Sequence, residues 1–248
     1  MKVHACPDKY KYPKNLPMQQ KYRKFSNFSN INFSSKDILV KSTPVQKTQD
    51  FSWTNDPVIL KSLDYLKNLN FDTENIKYVQ AQGAILPFKS GAQAFEFINK
   101  SNTRIKFDTL SMPNTHAQYD FENNTIKINE IYKNTQATEE ILAISEAILH
   151  ETGHAKDGDG QNSVQEEINC LALNSVAHRD FVAKYSDIFQ NSNAPIIKDG
   201  VIIYESLFFD FDPQKNNLIT RLKEKYGFLP AGDFTHPPSE LAFRVKRN

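Results

Sequence analysis

The sequence predicts an α+β (or mixed α/β) domain: a small mixed sheet followed by two long helices. Three observations carry that expectation. Arg104-Ile105-Lys106-Phe107-Asp108 alternates with period two, and segments 118–121 and 125–129 flank the short polar stretch Glu122-Asn123-Asn124 as a hairpin would. From about 138 to 154, apolar residues recur at helical spacing through Ile141, Ile144 and Ile148, and a second such helix spans about 163–185. The break between these helices is marked by Gly158-Asp159-Gly160.

Upstream, Pro57 suits a first helical turn, and Ile59, Leu63, Leu66 and Leu69 follow at helical intervals. A further helix fits 90–100, where Ala94, Phe95 and Ile98 share a face. Thr138 is the expected N-cap of the first long helix, with Glu139 and Glu140 favourable in its first turn. Beyond the second lie an apolar segment at 201–211, a helix near 218–226 and the ending Thr235-His236-Pro237-Pro238. The folded domain is expected over 55–248, with 1–54 a basic, irregular arm broken by Pro7, Pro13, Pro17 and Pro44. Trp53, the single tryptophan, is expected to pack that arm onto the domain.

A chain of 248 residues can bury a sizeable core, and 39% hydrophobic with 24% charged residues is the balance of a globular protein. Its near-neutral charge conceals an asymmetry: residues 1–50 hold ten Lys/Arg against three Asp, leaving twenty against twenty-six elsewhere. The arm could meet an acidic partner or lie across its own acidic domain. Nucleic acid is disfavoured, because lysine interleaved with aromatics is a weak signature. Two distant cysteines, Cys6 and Cys170, make no disulfide framework. The start lacks the apolar stretch of a secretory signal, and no run nears the roughly 18 apolar residues that span a bilayer. A soluble, cytoplasmic protein without a membrane partner is therefore expected.

The chemistry concentrates in His150-Glu151-Thr152-Gly153-His154. Histidines four apart on a helix share a face, so both imidazoles can meet one metal ion, most simply Zn2+. Glu151 between them points near the open coordination position, where it can take a proton from metal-activated water as general base. Two exposed histidines and a solvated glutamate would fit poorly with the strongly apolar upstream half of the helix. A third ligand is required. Histidine or aspartate six residues after His154 would complete one known arrangement, but that position is Gly160. A glutamate from the following helix is the other solution, and Glu166 and Glu167 are both available. On a helical wheel Glu167 falls inside the apolar arc of Val164, Cys170, Leu171 and Phe181, with Glu166 on a flank, which favours Glu167 and keeps Glu166 as the alternate. Asp157 and Asp159 are read as turn residues, His178 as a core or surface histidine, and His116 has no partner in the sequence pattern. Cys6-Pro7-Asp8 invites comparison with a prosegment cysteine switch, but three residues do not support one.

HETGH followed by a glutamate-bearing helix resembles the gluzincin zinc metallopeptidases. Glu167-Ile168-Asn169-Cys170 is similar to their ExxA[DN] signature, with Cys170 in place of alanine and Leu171 where Asp or Asn is usual. Thr235-His236-Pro237-Pro238 resembles an element of the CAAX prenyl protease and HtpX-like peptidases, and the glutamate segment is loosely similar to the ImmA/IrrE-like soluble peptidases. The resemblance covers about residues 115–245. It implies a zincin-like catalytic domain, a zinc-dependent peptidase acting on protein or peptide substrates, and a role for His236 at the metal or the oxyanion. It also implies that strand 125–129 is an edge strand pairing with extended substrate. The alternative is a catalytically silent zinc-binding sensor or partner-binding module.

Overall fold

The computed structural model describes residues 53–110, 115–160 and 162–191, all within one compact unit. Helix α1 spans Pro57–Lys67, with Asp56 Oδ1 accepting the Val58 and Ile59 N–H groups and Pro57 in the first turn, as the sequence suggested. Helix α2 (Thr73–Ala81) was not anticipated. It has little apolar periodicity and buries only Val79, so its start is set by the Asp72 cap rather than by a hydrophobic face. Helix α3 (Gly91–Lys100) begins at Ser90, whose Oγ accepts the Gln93 N–H.

Strands β1 (Arg104–Asp108), β2 (Ala117–Asp120) and β3 (Thr125–Asn129) form a three-stranded mixed sheet in the order β1-β3-β2. β1 runs parallel to β3, with Ile105 opposite Ile126, and β2 runs antiparallel to it, with Tyr119 opposite Ile126. Strand Thr125–Asn129 is thus the centre of the sheet, not the edge that the resemblance implied. Both flanks of β3 are paired, and Ile126 and Ile128 are fully buried, which leaves no place for a further strand. The edge on this side is β2. A short 3-10 turn, Glu130–Tyr132, leads on from β3.

Helix α4 spans Thr138–Asp157. Its N-cap is Ala137, which makes no side-chain cap bond, so Thr138 lies inside the helix rather than capping it. Thr135 closes this corner instead, its Oγ1 accepting the Ala137 N–H and bonding Glu140. α4 packs against α1, α3, α5, α6 and strands β2 and β3, which makes it the central element. Consistent with that, Ile141, Leu142, Ala143, Ile144, Ser145, Glu146, Ile148 and Leu149 are all buried, on every side of the helix. At its crossing with α1 the Ser145 Oγ donates within the helix to Ile141 O (2.8 Å) or across to Ser62 O (2.9 Å), small residues that let the two backbones approach closely.

Gly158 (φ 69°) ends α4 in the left-handed conformation, its N–H donating to His154 O. Helix α5 (Val164–Lys184) then starts at Ser163, whose Oγ accepts the Glu166 N–H, and α6 spans Ser186–Asn191. Trp53 is partly buried against the core. No helix among the described residues is long and apolar enough to cross a membrane. The N-terminal arm with Cys6, the apolar segment 201–211, the helix expected near 218–226 and His236 lie outside the described residues.

Candidate metal centre

One turn of α4 separates His150 from His154, and their Nε2 atoms face each other at 3.2 Å. The turn at Gly158 sends the chain back so that the first turn of α5 meets the last turn of α4. Glu167 there approaches both rings, Oε2 at 3.7 Å from His150 Nε2 and Oε1 at 3.7 Å from His154 Nε2. Metal–ligand bonds of about 2.0–2.1 Å at tetrahedral angles put ligand atoms about 3.3 Å apart. The three observed spacings bracket that value, and these three side chains form a group that could hold a metal ion.

Of the two glutamates it is Glu167 that joins the group with His150 and His154, but not for the reason the helical wheel supplied. Nearly all of α5 from Val164 to His178 is buried, and Glu166 is as enclosed as Glu167. What separates them is direction. Glu166 Oε1 pairs with His154 Nδ1 at 2.6 Å, on the far side of the ring from Nε2. With Nδ1–H donating to that carboxylate, Nε2 is the nitrogen left facing inward, the usual arrangement behind a ligating histidine. Asn162 Nδ2 donates to Glu167 Oε1 at 2.7 Å and steadies the third carboxylate.

Glu151 stands apart from the ligand trio. Its Oε2 accepts the backbone N–H of Tyr119 in β2 at 2.7 Å, so the edge strand fixes where the carboxylate sits. Burial pushes its pKa up to about 7; His154 and the Tyr119 N–H oppose the rise while Glu167 and Glu166 reinforce it. For His154 burial favours the neutral ring, but the Glu166 hydrogen bond and the charges of Glu151, Glu166 and Glu167 outweigh it and raise its pKa to about 9. Three enclosed carboxylates around two facing imidazole nitrogens make a pocket of negative potential lined by nitrogen and oxygen donors. That donor set fits a divalent cation of the zinc type.

Gly153 allows α4 and α5 to meet this closely. A Cβ there would stand 2.5 Å from Cys170 Sγ, so the glycine of HETGH and the cysteine of the following helix occupy complementary space. Burial pushes the Cys170 thiol well above its ordinary pKa, as expected of a packing residue rather than a nucleophile.

The other histidines go elsewhere. His178 is 1% exposed and pairs through Nδ1 with Glu146 Oε1 at 2.8 Å, a core histidine joining α5 to α4. His116, which lacked a partner in the sequence pattern, meets the Tyr132 hydroxyl at 2.7 Å. Asp157 and Asp159 do lie at the turn, and with Glu166 they form a second cluster of carboxylates. The backbone N–H of Tyr119 and the roles of Asn162 and Glu166 were not apparent from the sequence; only the adjacency of two glutamates hinted that they divide the work. Comparison with protein-family models, with curated proteins and with solved structures finds no match to this chain.

Proposed function

We propose that this chain is a zinc-dependent peptidase of zincin-like architecture, with His150, His154 and Glu167 holding the ion and Glu151 serving as general base. One observation carries the reading: beside the candidate ligand trio there is a further carboxylate, Glu151, that is oriented from the edge strand. A site that only binds metal has no need of it. When bound, zinc supplies Lewis acidity to a carbonyl oxygen and makes a water acidic enough to be deprotonated near neutral pH. The chain's own groups do the rest. Glu151 would accept the proton of the attacking water and return it to the leaving amine, from the position in which the Tyr119 N–H holds its carboxylate. Glu166 keeps His154 in its ligating tautomer throughout.

The substrate-binding strand in this reading is β2, in place of Thr125–Asn129. Antiparallel pairing alternates backbone groups between the two flanks of a strand. His116 O accepts from Asn129 N–H, and Tyr119 N–H turns to Glu151, so the backbone groups of Ala117 and Tyr119 face away from β3. An extended peptide would add to that edge through the remaining outward main-chain groups, since the Tyr119 N–H is engaged by Glu151, and such bonds impose little sequence preference. The test is Glu151→Gln, assayed for bound zinc by mass spectrometry and for cleavage of a peptide library. Zinc should be retained and cleavage lost. Undiminished turnover would overturn the assignment of the base, and a zinc-replete wild type without any cleavage would favour a metal-binding sensor or partner-binding module.

A further inference from the structure

Next to the histidine-bearing group lies another set of potential ligands. One carboxylate oxygen each from Asp157, Asp159 and Glu166 fall within 4.8 Å of one another. Clustered acids at a surface are common, so the cluster alone is not informative. The second observation is Glu166. Its side chain is only 10% exposed, Oε1 is engaged by His154 Nδ1, and Oε2 is buried with no hydrogen-bond partner among the described residues. A carboxylate oxygen enclosed without a donor keeps its desolvation cost uncompensated. Here it belongs to the same carboxylate that the two aspartates approach.

The surroundings compound the deficit. Asp157 is the last residue of α4, at the negative end of the helix dipole, where a carboxylate is disfavoured and a cation favoured. The carboxylates of Glu166 and Asp159 add like charge beside it. Gly158 (φ 69°) and Gly160 (φ 77°) flank Asp159 and let the chain double back, which brings it to the same side as Asp157. Phe121 lies against Gly160 and seats this turn on the end of β2. The donors are oxygens only, one of them on an exposed turn with room for waters. That set suits a hard cation with a flexible coordination shell and does not suit zinc.

We infer that Asp157, Asp159 and Glu166 form a second divalent-cation site, selective for Ca2+ and sharing Glu166 with the support of His154. The ion neutralises the acids at the α4–α5 turn and ties the end of one helix to the start of the next. This site is independent of peptide cleavage. The experiment titrates CaCl2 into the zinc-loaded full chain, read by calorimetry and by thermal unfolding. One saturable Ca2+ per chain is expected, with a Kd of about 0.1–1 mM, and a Tm about 5 °C higher at 10 mM Ca2+. Asp159→Asn should abolish both responses and retain bound zinc. Absence of saturable heat in the wild type overturns the inference, as does an unchanged calcium response in both Asp157→Asn and Asp159→Asn. Because neither readout involves turnover, a chain that cleaves no peptide tests it equally well.

Discussion

Replacing Gly153 with alanine tests how tightly the two helices that bear the metal ligands are fitted. At an exposed helical position this change stabilises by about 1 kcal/mol, because glycine is the poorer helix former. Here the added Cβ would stand 2.5 Å from Cys170 Sγ, while its next neighbours, Cys170 Cβ at 3.6 Å and Pro87 Cγ at 3.7 Å, are at ordinary contact. Comfortable separation is about 3.5–4.0 Å, so the overlap is about 1 Å and involves one atom. Cys170 is 1% exposed, so its sulfur has little room to move aside and the helices must separate. Overpacking of this kind costs about 1–3 kcal/mol, which gives a net destabilisation of up to about 2 kcal/mol after the propensity gain. Zinc affinity should fall as well, because His154 and Glu167 lie on opposite sides of that contact. Cys170→Ala removes the clashing atom, so the double variant should recover stability and zinc affinity. Urea denaturation of the four members of the cycle measures the coupling, which should exceed about 1 kcal/mol. Additivity within about 0.5 kcal/mol would refute the reasoning.

Three further outcomes follow from the same geometry. Glu167→Ala should weaken zinc binding more than Glu166→Ala, which removes only the support behind His154 and should cost about 10–100-fold; chelator competition reads both, and equal losses would refute the division of roles. The Lys127 hydrogen bond holds Asp120 down to about 2. Because the folded pKa is depressed, the stabilisation is present above the unfolded value of about 3.9 and is lost as pH falls through about 2. Lys127→Met should therefore flatten the acid limb of stability between those values, and an unchanged limb would remove the pair from the account. In the core, Glu146→Leu alone should cost about 3 kcal/mol because it strands His178, while Glu146→Leu with His178→Phe should recover most of that in thermal unfolding.

Helix starts were legible where a periodic run has a clear beginning: the helices expected from Pro57, over 90–100 and over 163–185 start within a residue of α1, α3 and α5, and the caps Asp56, Ser90 and Ser163 became visible only in the structure. Thr138 misled because capping depends on backbone angles, and the hydroxyl that serves that corner belongs to Thr135, outside the helix. α2 escaped notice since it lies on the surface with one buried residue. The hairpin was readable, but the strand order was not. Adjacent strands in sequence reveal their pairing, whereas the parallel neighbour β1 inserts itself through contacts that no local pattern encodes. At the candidate metal centre, His150, Glu151 and His154 were legible from spacing alone. Distinguishing Glu167 from Glu166 required the direction of each side chain, because α5 is enclosed on all sides and polarity no longer indicates which face is which.

The central position of α4 bears on when the metal group can come apart. A helix that packs against two strands and four other helices frays less readily than one at the surface. His150 and His154 therefore ride on the segment whose amides should exchange last, and the pair is released only when the whole unit opens. In the proposed reading, loss of metal by local breathing would begin from α5, through the single carboxylate of Glu167.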